Sequence, residues 1–161
     1  MVETPVKARS QERAAETVER HAHILWIDHG SGGHGYLRPD SRAFSPLPVS
    51  LADTSDSGSP DTTPGELLAA AECSSFVVTL ADLLARRDTP ALELEVDATC
   101  HIEESERGQS ISGLHLRVRG RGAGLESESF ADSANRALAC CPISHALGAT
   151  VRITLDADLA R

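Results

Sequence analysis

The alternation of apolar and polar residues divides the chain into strand-like and helix-like segments. Residues 21–28 form a strand-like run that is followed by a glycine-rich turn, 30–35, and by a return strand that begins at Tyr36, which together predict a β-hairpin. From 92 to 103, apolar and polar residues alternate, as expected for a strand with one face in the core. Residues 110–119 alternate in the same way, so the two strands are predicted to form an antiparallel pair.

Helical signals lie on either side of this strand pair. Thr63-Pro64-Gly65-Glu66 has the residues of a capping box, and the following segment, 64–86, is apolar almost all round. This pattern is typical of a buried central helix. A second helix is predicted over 127–140; it is interrupted at Pro142, resumes over 143–147, and leads into a last strand, 149–155.

The order of these elements predicts an α+β fold in which antiparallel sheets pack around a long buried central helix. The 161 residues, of 17.1 kDa, fit one domain, which we place at 21–161 behind a polar lead, 1–20. The polar, turn-rich segment 52–63 is expected to be a surface loop within this domain.

Charge and composition narrow the classes of partner. The formal net charge of −9 disfavours nucleic acid and anionic membrane surfaces, and aromatic residues make up only 3% of the chain. We expect a cytoplasmic protein with no membrane partner, because the N-terminus is polar and no apolar run approaches the roughly 20 residues that span a bilayer. Four cysteines are too few for a disulfide scaffold in a chain of this length.

Two features of the first hairpin suggest ligand binding but lack the context that such sites need. The turn Gly30 to Gly35 matches the dinucleotide pattern G-x-G-x-x-G, yet prolines follow it instead of a helix. The histidines of this region, His21, His23, His29 and His34, lack neighbouring cysteine or carboxylate ligands. We therefore predict neither a metal nor an organic cofactor.

Two motifs on the helices resemble the OsmC/Ohr family of osmotically induced and organic hydroperoxide resistance proteins. The first is the run from Thr62 to Ala71 that leads to Phe76, and the second is Cys140-Cys141-Pro142-Ile143-Ser144, where the family typically has Cys-Pro-x-Ser. The resemblance implies an OsmC-like α+β fold and an intertwined homodimer. It also implies reduction of an organic hydroperoxide by a peroxidatic and a resolving cysteine, with a dithiol or lipoyl-type reductant as partner.

Residue by residue, this sequence departs from the family's site. Phe76 in the place of the family's phenylalanine puts Ser75 at the peroxidatic position, and Cys73 precedes it by two residues, about 200° around the helix. The family's glutamate falls on Gly65; Glu66 follows it and has the alternative role of capping partner. No arginine occupies the matched place in the hairpin. Cys141 is the family residue that is retained.

These departures leave more than one functional interpretation open. Cys73, Cys140 and Cys141 either form a thiol-disulfide system or serve as small buried residues. Glu72 lies within the apolar helix and shares a face with Ser75, which suggests a general base or polar anchor; alternatively it faces a dimer contact. The main alternative to a peroxidase is a member whose interface pocket binds or transforms an apolar small molecule. A further alternative is that Ser75 replaces a cysteine by design.

Overall fold

Six strands and three helices follow one another in the residues that the computed structural model describes, 17–28, 33–50, 61–89, 91–106 and 108–160. They are, in chain order, β1 (Ala22–Asp28), β2 (Gly33–Pro39), β3 (Leu47–Ser50), α1 (Pro64–Ala85), β4 (Glu93–Ser105), β5 (Gly108–Arg121), α2 (Ser127–Cys140), α3 (Pro142–Leu147) and β6 (Arg152–Leu159). The start of the predicted glycine turn, most of the predicted surface loop and most of the polar lead lie outside the described residues.

The first sheet is built from β1, β2 and β3 in that order, and both pairs are antiparallel. The hairpin agrees with the sequence prediction, although β2 begins at Gly33, earlier than predicted. β3 was not predicted, because Pro46 and Pro48 indicate a loop. A proline is tolerated in a short edge strand, where one N–H is not needed for pairing.

The second sheet has the order β4-β5-β6 and corrects one prediction. β4 and β5 form the predicted antiparallel pair, with a bulge between His101 and Ile102. β6, however, runs parallel to β5, so this sheet is mixed. The reason is that α2 and α3 form a crossover that returns the chain in its original direction.

The core lies between the second sheet and the helices. Its largest members, Phe76 and Leu80 of α1, Leu116 and Val118 of β5 and Phe130 of α2, have no exposed surface. Burial of such side chains contributes roughly 1.5–3 kcal/mol each. The core therefore fixes α1 across the sheet and brings α2 and α3 against it.

Within one chain, α1 is buried along one face only. This corrects the sequence prediction of a helix that is buried on all sides. Its buried residues follow helical spacing: Gly65, Ala69, Glu72, Phe76, Leu80 and Leu84. The opposite face is open, and Val78 on it is 69% exposed. With a mean hydropathy of 1.7, α1 is long and apolar enough to cross a membrane, which corrects the expectation that no apolar run approaches this length. A core helix of a globular protein has the same properties.

Candidate active site

The capping box positions the start of α1 and occupies Glu66. The Thr63 hydroxyl accepts a hydrogen bond from the Glu66 N–H at 3.3 Å, and Glu66 Oε2 accepts one from the Thr63 N–H at 3.0 Å. The Thr62 hydroxyl also donates to this oxygen. The predicted capping box is present, and both carboxylate contacts lie at the exposed N-terminus of the helix. Glu66 therefore caps the N-terminus of α1, which is a structural role.

Cys141 enters the site because α2 ends there. Pro142 cannot continue the hydrogen bonding of α2, and Cys141 adopts an extended conformation between α2 and α3. Its N–H still donates to the Ala137 carbonyl at 2.8 Å. The side chain is fully buried and faces α1.

Four side chains from α1, α3 and the bend between the last two helices form one hydrogen-bonded cluster, which we call the Cys141 cluster. The Cys141 thiol lies 3.1 Å from Ser75 Oγ and 3.8 Å from Glu72 Oε1. The Ser144 hydroxyl donates a short hydrogen bond to the same Glu72 oxygen. Glu72, Cys141 and Ser144 are buried, whereas Ser75 is half-buried and marks the side that is nearest to solvent.

Glu72 is unusual because its carboxylate is buried and yet has few hydrogen-bonding or positively charged partners. It has no exposed surface, and its Oε2 has no hydrogen-bond partner among the described residues. No arginine, lysine or histidine in the described ranges forms an ion pair with it. A buried carboxyl group with so little compensation is more typical of functional sites than of stable cores.

The structure places Cys73 away from the Cys141 cluster. Its thiol donates to the Val96 carbonyl of β4 at 3.5 Å, so it faces the second sheet. Burial raises the pKa of Cys73, and the charges of Asp97 and Glu72 raise it further. A raised pKa leaves little of the thiolate, the form that reacts with peroxides. This chain does not bring Cys73 and Cys141 together as a pair.

The other two cysteines also lie outside the cluster. Cys140 is the exposed last residue of α2. Cys100 is half-buried on β4, and burial raises the pKa of its thiol. All four cysteines are free thiols in this structure.

Gly65 has a steric reason to be glycine. A Cβ atom built there would lie 2.8 Å from Ile102 Cδ1, closer than such contacts normally occur. A glutamate at this place would therefore require Ile102 to move. The part of the chain that the structure describes also contains no group of three or more His, Cys, Asp and Glu side chains that could hold a metal ion.

Ser144 is the member of the cluster that sequence reasoning did not assign to the site. The available signal was its position three residues after Cys141 at the start of a helix, which puts both residues on one side of the bend. What the sequence did not show is that this side faces Glu72.

Comparisons with known proteins agree with the fold. The profile of a family described as "OsmC-like protein" matches residues 55–156. Peroxiredoxin OsmC of Escherichia coli (strain K12) is 24% identical over 143 residues, which cover 89% of this chain and 98% of the relative.

Solved structures show the same likeness at low identity. The organic hydroperoxide resistance protein OhrB of Bacillus subtilis superposes with a TM-score of 0.67 at 22% identity, over 85% of this chain and 97% of that one. An organic hydroperoxide resistance protein from Elizabethkingia anophelis gives 0.70 at 19% identity, over 91% of this chain and 100% of that one. These structures support the α+β fold.

Proposed function

The chain belongs to the OsmC-like protein family, and from this premise we propose that it reduces organic hydroperoxides with Cys141 as the reacting thiol. The observation that carries the proposal is the Cys141 cluster. It puts the one cysteine retained from the family's motif beside a hydroxyl and a carboxylate, both on α1. The names of the relatives, peroxiredoxin and organic hydroperoxide resistance protein, agree with this chemistry.

The reaction uses one thiol and an external reductant. The Cys141 sulfur attacks the terminal oxygen of the hydroperoxide, the O–O bond breaks, and the products are a sulfenic acid on Cys141 and an alcohol. A dithiol, of the small or lipoyl type, then attacks the sulfenic acid and forms a mixed disulfide with loss of water. The second thiol of the reductant releases Cys141 as a thiol and leaves the reductant as a disulfide.

This scheme differs from a cysteine pair because of where Cys73 lies. Cys73 faces the Val96 carbonyl on the opposite side of α1, so an internal disulfide with Cys141 has no support in the geometry of one chain. Ser75, which stands at the peroxidatic place, has a hydroxyl that can donate to the Cys141 thiolate but cannot itself pass through a sulfenic acid.

We propose that the functional unit is a homodimer. The open face of α1 carries Val78, and the first sheet exposes Ile24, Leu25, Trp26 and Tyr36, each by 39–57%. A second copy of the chain would cover this surface and close the half-buried side of the site at Ser75. Sedimentation should give twice the 17.1 kDa of one chain, and Val78→Asp should lower that value. A wild-type monomer at micromolar concentration would contradict the dimer.

A cytoplasmic location of the protein remains a prediction.

The proposed activity is tested by hydroperoxide consumption with cumene hydroperoxide and an excess of dithiothreitol or dihydrolipoamide. The Cys141→Ser variant should lose turnover. Cys73→Ser is the matched control, because it replaces a cysteine on the same helix as Ser75 and should retain turnover. Full turnover in Cys141→Ser, or its loss only in Cys73→Ser, would contradict the proposal.

A second candidate is a member without peroxidase activity that binds an apolar small molecule at the same place. It is favoured by Ser75 at the peroxidatic position and by Gly65 at the place where the resemblance implies a glutamate. Under this alternative, all four thiols should stay reduced in excess cumene hydroperoxide, while an apolar alcohol such as 2-phenyl-2-propanol should raise the melting temperature.

A further inference from the structure

The Cys141 cluster also suggests how the thiol is activated without a neighbouring cation. A thiolate is usually stabilised by a positive group, such as arginine, lysine or protonated histidine. No such group contacts Cys141 or Glu72 in the described residues, whereas a carboxylate oxygen lies 3.8 Å from the sulfur. Among the described residues of one chain, the Glu72 carboxylate is therefore the charged acceptor available for the thiol proton.

We infer that Glu72 carries the proton of Cys141 during the reaction and that Ser144 is the positioning residue that aims its Oε1 at the sulfur. This inference rests on the proposed function, because it describes how the same thiol would react. It gives Glu72 a task in this chain that differs from the capping task of Glu66.

The proton balance is complete within the cluster. Oε1 of Glu72 takes the proton from the Cys141 thiol, which leaves a thiolate and a neutral carboxylic acid. The thiolate attacks the terminal oxygen of the hydroperoxide, and the departing alkoxide takes the proton from Glu72 to become the alcohol. Glu72 is then a carboxylate again, Cys141 is a sulfenic acid, and the cluster keeps one negative charge before and after attack.

Charge conservation explains why this route suits a buried site. Moving a proton from a thiol to a carboxylate 3.8 Å away relocates one buried charge without creating another. The half-buried Ser75 hydroxyl, 3.1 Å from the sulfur, can turn to donate to the thiolate once the proton has left. Both steps use groups that are already in contact.

Ser144 has the geometry of a positioning residue. Its hydroxyl is buried, belongs to α3, and donates to the same oxygen that faces Cys141. The other oxygen of Glu72 has no partner among the described residues, so the orientation of the carboxylate depends on Ser144. Without that donor, the Cys141 thiol would be the one hydrogen-bond donor to this carboxylate among the described residues.

Other titratable groups near the cluster face different surroundings. On the β4 side, the charges of Asp97 and Glu72 both raise the pKa of Cys73, so Cys73 is coupled to Glu72. Cys140 of α2 and His145 of α3 are exposed. The Ser144 substitutions are therefore compared in a Cys73→Ser background, so that a change in the pH dependence of Cys141 alkylation is attributable to the Glu72 and Cys141 pair.

The test measures alkylation of Cys141 by iodoacetamide as a function of pH, with the modified peptide identified by mass. Ser144→Ala should slow alkylation near pH 7 by about tenfold to a hundredfold, the effect of losing one hydrogen bond to a charged group. Ser144→Ala should also shift the pH dependence of the Cys141 alkylation rate. Ser144→Thr, which keeps the hydroxyl, should restore both. Ser133→Ala is the matched control, because Ser133 is also a buried serine but bonds to Ser129 of α2 and to Arg87 beyond the end of α1, and not to Glu72 or Cys141.

The outcomes separate this inference from the proposed function. An unchanged rate and pH profile in Ser144→Ala would overturn the inference even if hydroperoxide is consumed. If Ser144→Ala does not fold, Glu72→Gln, which keeps the side-chain volume, must show the same slowing, and normal reactivity would overturn the inference. If Ser144→Ala shifts the pH dependence of Cys141 alkylation but the wild-type protein consumes no hydroperoxide, the result would support the proton transfer and contradict the peroxidase activity.

Discussion

Replacing Glu72 by glutamine distinguishes a proton carrier from a neighbouring charge, because the two roles change the reactivity of Cys141 in opposite directions. The substitution keeps the shape of the side chain and its ability to accept a hydrogen bond from Ser144. It removes the negative charge and the capacity to hold the thiol proton. The sign of the change in Cys141 reactivity is therefore the informative quantity.

The magnitude follows from the distance. If Glu72 stayed ionised while Cys141 formed a thiolate, two unit charges would lie 3.8 Å apart. At an effective dielectric constant of about 20 their repulsion is about 4 kcal/mol. Removing it would raise the thiolate fraction by about a thousandfold, since each 1.36 kcal/mol is a factor of ten. As a proton carrier, Glu72 instead supplies the roughly 10²–10⁴-fold that general acid–base catalysis contributes.

The assay is the second-order rate constant of Cys141 with cumene hydroperoxide at pH 7, followed as loss of the Cys141 thiol by peptide mass. The account predicts that Glu72→Gln lowers this constant by at least about a hundredfold. The Glu66→Gln variant is a control, because that carboxylate lies in the exposed capping box and should leave the constant unchanged. A faster reaction in Glu72→Gln would contradict the proton transfer and identify Glu72 as a charge that opposes the thiolate.

Three further predictions concern the cluster, the other cysteines and the core. Ser75→Cys should form a disulfide with Cys141 on oxidation, because the two side-chain termini lie 3.1 Å apart. The disulfide is detected by peptide mass. If no disulfide forms, the helices hold these two positions too far apart for one. The pKa values of Cys73 and Cys100 are raised above the ordinary 9.0, so the folded state retains these protons more firmly than the unfolded state. The part of the free energy of unfolding that these two thiols contribute should therefore be constant below about pH 9 and fall as the pH rises further. In urea titrations, a wild-type stability that rises at alkaline pH relative to a variant with Cys73→Ser and Cys100→Ser would contradict this sign. Phe76→Ala should lower the free energy of unfolding by about 3–5 kcal/mol at fixed protein concentration, because Phe76 is fully buried; a loss under about 1 kcal/mol would show that it does not anchor the core.

Local signals in the sequence were enough to predict much of the fold. The capping box at Thr63 fixed where α1 begins, and Pro142 fixed where α2 ends. The alternating apolar residues predicted β4 and β5, because a strand that is half in water keeps a period of two. The parallel direction of β6 was missed, since it depends on how the helical crossover packs and leaves no trace in a short apolar run.

The site was harder to predict from the sequence, because it depends on which faces of the helices pack against each other. Helical periodicity indicated that Cys73 and Ser75 point in different directions, and the structure places Cys73 on the sheet side. It could not indicate that Ser144 faces Glu72, because this contact joins residues 72 positions apart. The exposure of Val78 was also missed, since an apolar residue looks the same in sequence whether its own chain or a second copy covers it.

The proposed activity depends on oxidation of Cys141 by a hydroperoxide, and trapping of the sulfenic acid detects this step. The reduced wild-type protein is mixed with less than one equivalent of cumene hydroperoxide in the presence of dimedone, which reacts with sulfenic acids, and the peptides are then identified by mass. We expect a dimedone adduct on Cys141 and free thiols at Cys73, Cys100 and Cys140. An unmodified Cys141, or an adduct confined to another cysteine, would contradict it.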